Sequence, residues 1–384
     1  MQDFKSLALE MEEWRHRLHA APEFGFEERQ TAAFVAEKLR SFGLDVAEGI
    51  GGTGVVGTLK RGGGNRAIAL RADMDALRIS ENNRLPYAST RPGLMHACGH
   101  DGHTAMLLGA AKHLAREGGF DGTVHFLFQP AEEWGRGALA MIRDGLLERF
   151  PFDEVYGIHN LPGLAIGGFQ TRHGAIMAAE DLFEIRLSGA GGHAARPHHT
   201  REVMLAACGL VVNLQSIVSR RLDPSEIAVV SVTEIVTDGT RNALPGSATI
   251  RGDARSMKPD VSQSIESEMR RIAAGTAQTY DCTAKVEYRR EFVPLLNSPE
   301  QTEAALDAAR AALGPDAVYG ACEPIAVSED FAQFLAHVPG NFAFIGNGED
   351  SSPLHSQNYD FNDAALTSGV SYFVAIVRKR LVEK

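Results

Sequence analysis

The sequence predicts an α/β protein in which a domain built on a mostly parallel sheet is interrupted by a second, ferredoxin-like domain. Over about the first 175 residues, short apolar runs alternate with helical patterns, as in parallel sheets connected by helices. From residue 180 the order becomes strand, helix, strand, strand, helix, strand, which is ferredoxin-like. Candidate metal ligands lie on both sides of this segment and none within it. We therefore predict one discontinuous domain, residues 1–179 and 294–384, with residues 180–293 inserted.

In residues 1–179 the predicted helices and strands alternate along the chain. Apolar residues recur at helical spacing between residues 28 and 45, and Gly43 ends that pattern. Apolar runs at 53–59 and 67–70 flank turn-forming residues, which predicts a hairpin. The other predicted elements are helices at 104–116 and 138–147 and strands at 123–128 and 154–158.

The inserted segment and the tail are predicted in the same way. The insertion has strands at 182–187, 227–235, 248–254 and 284–288 and helices at 201–219 and 259–280. The tail has helices at 299–313, 329–338 and 364–382 and a strand at 342–345.

Composition limits the class of protein. The 384 residues suffice for two domains, and a net charge of −11 argues against nucleic acid or an anionic membrane as a partner. Four scattered cysteines fit a reducing cytosol. The first six residues lack the pattern of a signal peptide, and no run of about 18 apolar residues is present. We expect a cytoplasmic protein without membrane spans.

Metal-binding side chains are concentrated in four separate segments. Residues 94–104 contain three histidines, a cysteine and an aspartate, and Glu132 with Glu133, His159 and His355 follow in later segments. Asp73 and Asp75 follow the predicted strand 67–70, Glu132 and Glu133 follow strand 123–128, and His159 follows strand 154–158, whereas His355 follows strand 342–345 by a longer loop. Active sites of such sheets collect beyond the carboxyl ends of strands. Nitrogen, sulfur and carboxylate donors from remote segments predict one or two divalent metals held by a folded domain.

Cys98 and His100 are two residues apart, so in an extended segment they would point the same way. A thiolate favours zinc or a similar transition metal over magnesium or calcium. The alternative is a buried cysteine beside a histidine that caps a helix. The presence of further donors elsewhere in the chain favours the metal site.

Glu132 and Glu133 indicate catalysis. In an extended loop adjacent side chains diverge, so one carboxylate could bind metal while the other takes a proton from water. The alternative is a pair of solvated acids in a turn. The apolar residues 126–128 before the pair favour a half-buried loop at the end of a strand.

Other polar residues have weaker signals. Asp75 is expected to orient a ligand histidine, and Asp73 could do the same or be structural. His193 lies in a glycine-rich loop, where a histidine normally faces solvent. Asn242 and Arg255 have no distinctive pattern of their own.

Together these segments resemble the M20 metallopeptidase family, in the branch of N-acyl-amino-acid amidohydrolases, hippurate hydrolases and plant auxin-conjugate hydrolases. The matching motifs are residues 15–23, 71–77, 95–101, 128–133, 191–194, 328–331 and 354–356. Most M20 peptidases have a His-x-Asp motif where this chain has Asp73 and Asp75, and an aspartate ligand where it has Cys98 and His100. These differences are typical of the amidohydrolase branch.

The resemblance implies a zinc-peptidase-like catalytic domain with two divalent ions (Zn, Mn, Co or Ni) and with Glu132 as general base. The implied ligands are Cys98, His100, Glu133, His159 and His355.

The resemblance also implies that the inserted domain is a dimerisation or lid domain, so that the protein is a dimer or tetramer. His193 and Asn242 would then reach the neighbouring subunit's site and stabilise an oxyanion, while Arg255 would face the substrate carboxylate. Glu329 and Asp330 would support the site.

The expected activity is hydrolysis of the amide bond of small N-acyl amino acids. The alternatives are a dipeptidase or aminopeptidase, a carbamoyl-cleaving or deaminating hydrolase, and an inactive metal-binding dimer. Glu132 speaks against the last, because a scaffold needs no general base.

Overall fold

The computed structural model describes residues 4–382, with side chains from residue 6 onward, and the chain divides into two compact units. The first runs to Ile176 and resumes over Leu296–Glu323 and from Glu329 onward; the second comprises Met177–Leu295 and Pro324–Ser328. The sequence did not indicate that Pro324–Ser328 packs with the second unit. The signal-peptide expectation concerns the first six residues, of which residues 1–3 lie outside the described part.

The elements are numbered in chain order. The strands are β1 (Asp45–Ile50), β2 (Gly54–Arg61), β3 (Ala67–Asp73), β4 (Gly122–Gln129), β5 (Glu154–Leu161), β6 (Phe169–Gln170), β7 (Gly174–Met177), β8 (Ala179–Ser188), β9 (Gly192–His193), β10 (Ala228–Thr237), β11 (Ala243–Leu244), β12 (Ser247–Ser256), β13 (Thr283–Phe292), β14 (Leu295–Asn297), β15 (Val318–Tyr319) and β16 (Gly340–Gly346). The α-helices are α1 (Phe4–Ala20), α2 (Arg29–Ser41), α3 (His100–Glu117), α4 (Gly137–Arg143), α5 (Leu146–Arg149), α6 (Val203–Leu214), α7 (Ser216–Arg220), α8 (Pro259–Thr279), α9 (Pro299–Leu313), α10 (Ala332–Leu335) and α11 (Leu366–Arg380).

The first unit contains an eight-stranded sheet in the order β1-β2-β4-β3-β5-β16-β6-β15. Its centre, β4-β3-β5-β16, is parallel, whereas β1 and β2 add an antiparallel edge. Strand β16 is buried along its whole length, and β3 and β5 are buried at all but one residue each, as expected of strands covered on both faces. The predicted α/β class with a mostly parallel sheet is confirmed.

Helices α1, α3, α9 and α11 pack against one another, and α3 also contacts the central strands. Their apolar faces form one core with the sheet, to which Met11, Met106 and Val370 contribute. Helix α3 is buried on nearly every side, which fits its many small residues and fixes the position of its first turn.

The predicted hairpin between the second and third strands is wrong. Strand β4 lies between β2 and β3 and pairs with both, and the hairpin is formed instead by β1 and β2. Asp121, just before β4, accepts a hydrogen bond from Gly64 N at 2.6 Å and so fixes the glycine turn beside the start of β4. Two neighbouring apolar runs cannot reveal a third strand that arrives from far along the chain.

Each of the helices predicted at 138–147 and 201–219 is divided into two, α4 with α5 and α6 with α7. Three other differences in boundaries concern the candidate site. Helix α3 begins at His100 rather than at residue 104, so its first turn lies within the histidine-rich segment. Strand β5 extends to Leu161 and therefore includes His159. The helix predicted over residues 329–338 is only Ala332–Leu335, which leaves the two acids before it in a loop.

The second unit contains an antiparallel sheet in the order β10-β12-β8-β13, and helices α6 and α8 pack on it. The predicted strand and helix order is present, with the strand arrangement of a ferredoxin-like fold. Strand β10 is an edge strand in this sheet. Among residues 4–382, no helix is long and apolar enough to cross a membrane.

We expect Gly346→Ala to destabilise the first unit. A Cβ at Gly346 would lie 1.7 Å from the carbonyl oxygen of Ala165, and backbone cannot rotate away as a side chain can. The cost is about 1–3 kcal/mol or more, which thermal unfolding would register as a lower Tm. Gly275→Ala, where an added Cβ meets nothing within 4 Å on the exposed face of α8, is the control and should leave Tm unchanged or raise it. Equal Tm values for the two variants would contradict this packing.

Candidate metal centre

Polar side chains converge where the parallel strands of the first unit end. Asp73 is the last residue of β3, His159 lies near the end of β5, and Glu132 follows β4 after a short turn. His100 is the first residue of α3 and is preceded by Cys98. The edge predicted from sequence is therefore the edge at which these residues meet.

The five predicted ligands lie within one small volume. Cys98 Sγ is 3.4 Å from His159 Nε2, and Glu133 Oε1 is 3.9 Å from His100 Nε2 and 3.3 Å from His355 Nε2. Ligand atoms of Cys98, His100 and His159 lie within 4.8 Å of one another, and so do those of Cys98, Glu133 and His355. Two triads of donors therefore share Cys98.

Cys98 and His100 converge for a reason other than the predicted extended segment, and that prediction is wrong. Gly99 between them is left-handed, with φ 97°, and the helix starts at His100. A Cβ at Gly99 would lie 2.2 Å from Asn160 Oδ1 and 2.6 Å from the Tyr359 hydroxyl oxygen. Only glycine fits both the backbone conformation and the space.

Glu132 and Glu133 begin a 3-10 turn rather than lying in the predicted extended loop. Ala131 before them is left-handed, with φ 47°. The two carboxylates still have different partners: Asp330 N donates to Glu132 Oε1 at 3.4 Å, whereas Glu133 lies against His100 and His355. An oxygen of Glu132 also lies within 4.8 Å of ligand atoms of His100 and Glu133, so Glu132 borders the donor cluster.

Asp75 lies where a residue that orients a ligand should lie. Its Oδ1 and its backbone oxygen are 3.2 and 2.9 Å from His100 Nδ1, which turns Nε2 of that ring toward the other donors. Its Oδ2 accepts a hydrogen bond from Glu133 N at 3.1 Å. One buried carboxylate thus positions two of the candidate ligands.

A buried chain of polar residues behind the site was missed by the sequence analysis. His103 Nδ1 is 2.6 Å from Asp73 Oδ1, its Nε2 is 2.7 Å from Asn160 Oδ1, and Asn160 Nδ2 donates to the Tyr359 hydroxyl at 2.6 Å. His159 Nδ1 lies 2.7 Å from the Asn160 carbonyl oxygen, so this chain also orients a candidate ligand. His103 and Asn160 stand beside motif residues, but nothing in the sequence indicates that they are partners.

Arg71 is a second residue that the sequence analysis left without a role. It is fully buried and donates to Asp73 Oδ2 at 2.8 Å, to Glu329 Oε1 at 2.8 Å and to Asp330 Oδ1 at 3.1 Å, and also to Gln129. An arginine inside an otherwise apolar strand was the available signal, since a buried charge requires partners. Glu329 and Asp330 are thereby linked to the site.

Burial and neighbouring acids raise the pKa values of two candidate ligands. Burial, followed by the charge of Glu133, raises the pKa of the Cys98 thiol well above its usual value. Burial alone would lower the pKa of His100, but Asp73, Asp75 and Glu133 outweigh it and raise that pKa to about 10. Both shifts favour the protonated forms, a neutral thiol at Cys98 and a positively charged imidazolium at His100.

The pKa of Glu132 is raised as well, mainly by burial and by other acids. Burial first, and then the charges of Glu329 and Glu133, raise its pKa well above the usual value, although Arg71 acts in the opposite direction. A raised pKa makes the ionised carboxylate a stronger base and keeps the carboxyl group protonated to a higher pH, so that one side chain can accept a proton and later return it.

The residues present fit a metal. Within the described part of the chain, His100 Nε2 and Glu133 Oε1 are buried side-chain atoms that make no hydrogen bond, and both face the other donors. Such atoms are costly unless a ligand satisfies them. Imidazole nitrogen, thiolate sulfur and carboxylate oxygen in one cluster suit a divalent transition metal better than calcium or magnesium.

The three remaining predicted residues belong to the second unit. Ala195 N donates to His193 Nδ1 at 3.1 Å, which leaves the ring proton of the neutral imidazole on Nε2, and the side chain is exposed. The Asn242 carbonyl accepts from Ala194 N at 3.0 Å, so these two loops adjoin.

Arg255, also in the second unit, is half-buried and donates to Asp253 Oδ1 and to the Ser328 hydroxyl, both at 2.8 Å. Its Nη2 lies 3.0 Å from Glu180 Oε1. A substrate carboxylate would have to share this guanidinium with two acids.

Comparison with known proteins identifies the class. Residues 69–379 match the model of the peptidase family M20/M25/M40, and the chain belongs to that family. The family predicted from sequence and the assignment to a hydrolase are confirmed.

Two curated relatives and one solved structure are similar over nearly the whole chain. Hippurate hydrolase of Campylobacter jejuni is 41% identical, covering 97% of each chain. N-acetyl-L-cysteine deacetylase of Bacillus subtilis is 37% identical, covering 96% of this chain and 87% of its own. The Bacillus subtilis protein YXEP, a dinuclear metal-binding peptidase of the M20 family, superposes with a TM-score of 0.87 at 30% identity, covering 98% of this chain and 99% of its own.

We expect metal binding to release protons. The upward shift of the pKa of Cys98 and of His100 favours the protonated forms of both groups in the metal-free protein, and each must lose its proton to bind a metal. The hydrogen bond with Glu133 also raises the pKa of His355, so titration calorimetry in two buffers of different ionisation enthalpy should report at least about two protons per chain and an affinity that rises from pH 6 to pH 8. Cys98→Ala should reduce the release by about one proton. Heats that are independent of the buffer would contradict this assignment.

Proposed function

We propose that this chain is a metal-dependent amidohydrolase that cleaves the amide bond of N-acyl amino acids to a carboxylate and a free amino acid. The observation that carries the proposal is the cluster of five donors with Glu132 buried beside it. The activities named for the hippurate hydrolase and N-acetyl-L-cysteine deacetylase relatives support the same chemistry, with benzoyl, acetyl or indole-acyl groups as candidate acyl parts.

Two divalent ions are the proposed cofactor. Cys98 belongs to both donor triads, so the five side chains provide for two neighbouring positions, in keeping with the dinuclear description of YXEP. When bound, the ions would polarise the substrate carbonyl and acidify a water molecule. Zinc, manganese, cobalt and nickel all accept such a mixed donor set.

Glu132 is the proposed general base and acid. Its Oε1 accepts a hydrogen bond from Asp330 N, and one of its oxygens lies within 4.8 Å of ligand atoms of His100 and Glu133, which places the carboxylate beside the proposed metal ligands. It takes a proton from the attacking water and later gives it to the departing amine, and its raised pKa suits both steps. Asp75 supports the reaction by orienting His100.

The second unit is proposed to supply substrate contacts. The Nε2 proton of His193 could stabilise an oxyanion, with Asn242 from the adjoining loop. Arg255 is the candidate for the substrate carboxylate, because its planar fork suits two oxygens.

We further propose a homo-oligomer, a dimer or tetramer, that pairs through the second unit. Strand β10 is a ten-residue edge strand with Val229, Ile235 and Val236 exposed, and Leu205 and Val212 of α6 are 57% and 71% exposed. A long edge with apolar side chains favours pairing with another strand. The four free cysteines agree with the proposed cytoplasmic location.

The proposed activity predicts turnover of acylated amino acids. Metal-reconstituted protein should release amino acid from N-acetyl, N-benzoyl or indole-acyl amino acids faster than it cleaves free dipeptides. Glu132→Gln should retain its metal yet lower kcat by about 10²–10⁴-fold, because the proton acceptor is lost. Glu148→Gln, an exposed glutamate on α5, is the matched control.

Other results of these activity assays would support a different function. Preference for free dipeptides would favour a peptidase, and ammonia release would favour a carbamoyl-cleaving or deaminating enzyme. No hydrolysis with any of the four metals would favour an inactive metal-binding protein. Wild-type turnover in Glu132→Gln would show that the base is another residue.

If each active site contains residues of both subunits, two inactive variants should complement each other in a mixed dimer. If His193 acts in the neighbouring subunit's site, His193→Ala and Glu132→Gln are each nearly inactive, but a hybrid dimer contains one intact site. Mixing them in equal amounts should restore roughly a quarter of wild-type activity, since half of the dimers are hybrids with one working site of two. No recovery, with subunit exchange demonstrated by mass labelling, would place His193 outside the neighbour's site.

A further inference from the structure

We propose that Glu28 is a positioning residue for the hydrolytic reaction and acts through the backbone of Ala131. The inference rests on the proposed function. Glu28 immediately precedes helix α2 and lies 103 positions before Ala131 in the chain. None of the chemistry assigned above involves it.

The Glu28 carboxylate is fully buried and its two oxygens have separate partners. Oε1 accepts a hydrogen bond from Ala131 N at 2.9 Å, and Oε2 accepts one from the Thr53 hydroxyl at 2.6 Å. A buried carboxylate requires such partners. The bond to Ala131 joins it to the turn that presents Glu132 and Glu133.

The left-handed backbone conformation of Ala131 requires stabilisation by its neighbours. Its φ of 47° is a left-handed conformation that a residue with a Cβ disfavours, and Ala131 is completely buried. If Ala131 relaxed to an ordinary conformation, the next peptide would rotate and redirect both carboxylates that follow. Its N–H would also lose its acceptor in a buried place.

The segments packed around Ala131 restrict the movement of its backbone. A Cβ at Gly25 would lie 3.0 Å from Ala131 Cβ, so the segment before α2 lies directly against this residue. The Ala131 carbonyl accepts from Gly137 N at 3.1 Å. Two carboxylates thus hold the turn by its amides, Glu28 at Ala131 N and Asp75 at Glu133 N.

The test compares three single variants at saturating metal. Glu28→Ala removes the acceptor of Ala131 N and should lower kcat by about 100-fold with little change in KM, since a small misplacement of catalytic groups has effects of that size. Glu28→Gln keeps an acceptor for Ala131 N and can donate to the Thr53 hydroxyl, so its kcat should stay near wild type. Thr53→Val removes only the other partner and should also keep kcat.

A fourth variant separates positioning from stability. Glycine adopts a positive φ without penalty, so Ala131→Gly in the Glu28→Ala background should recover part of the lost kcat. The proposal is overturned if Glu28→Ala keeps wild-type kcat per metal-loaded site, if Glu28→Gln falls as far as Glu28→Ala, or if Ala131→Gly gives no recovery. A lower Tm with unchanged kcat would likewise mean a purely structural role. An inactive wild-type protein would instead contradict the proposed function.

Discussion

Buried negative charge at the carboxyl ends of the parallel strands is the constraint on which the rest of the structure depends. Asp73, Asp75, Glu132, Glu329 and Asp330 are all almost completely buried in one region. An unpaired buried carboxylate costs several kcal/mol, so the fold must supply positive charge there. Arg71 does this for Asp73, Glu329 and Asp330, to all of which it donates hydrogen bonds.

The remaining charge is placed where an exchangeable cation can balance it. Glu133 and His100 each have one buried atom that makes no hydrogen bond within the described part of the chain and that faces the other donors. The surrounding acids also raise the pKa of His100, which favours its positively charged form in the metal-free protein. Some of the buried acids are paired with Arg71 and others are left for a cation, and this explains why Glu132 and Glu133 have different surroundings. Glu133 lies against the histidines, and Glu132 lies on the Arg71 side next to Asp330.

The sequence was most informative where chemistry is local. Alternating apolar runs predicted the sheet, and the five donors were recognisable because thiol, imidazole and carboxylate groups stand out in any segment. The partners of those donors were not recognisable, because the contacts of Arg71, His103 and Asn160 arise only when strands from distant segments become neighbours. The predicted hairpin between the second and third strands was wrong for the same reason, because β4 comes between them from a distant part of the chain. The left-handed Gly99 was missed because the spacing of Cys98 and His100 fits a strand as well as a turn into a helix.

The central claim is that donors from remote segments surround a pair of metal ions. Anomalous diffraction from crystals of the active, metal-loaded protein tests it most directly. We expect two peaks among Cys98, His100, Glu133, His159 and His355, with the Cys98 sulfur next to both. Fully active protein with no peak at these side chains, or with metal only at another place, would contradict the account.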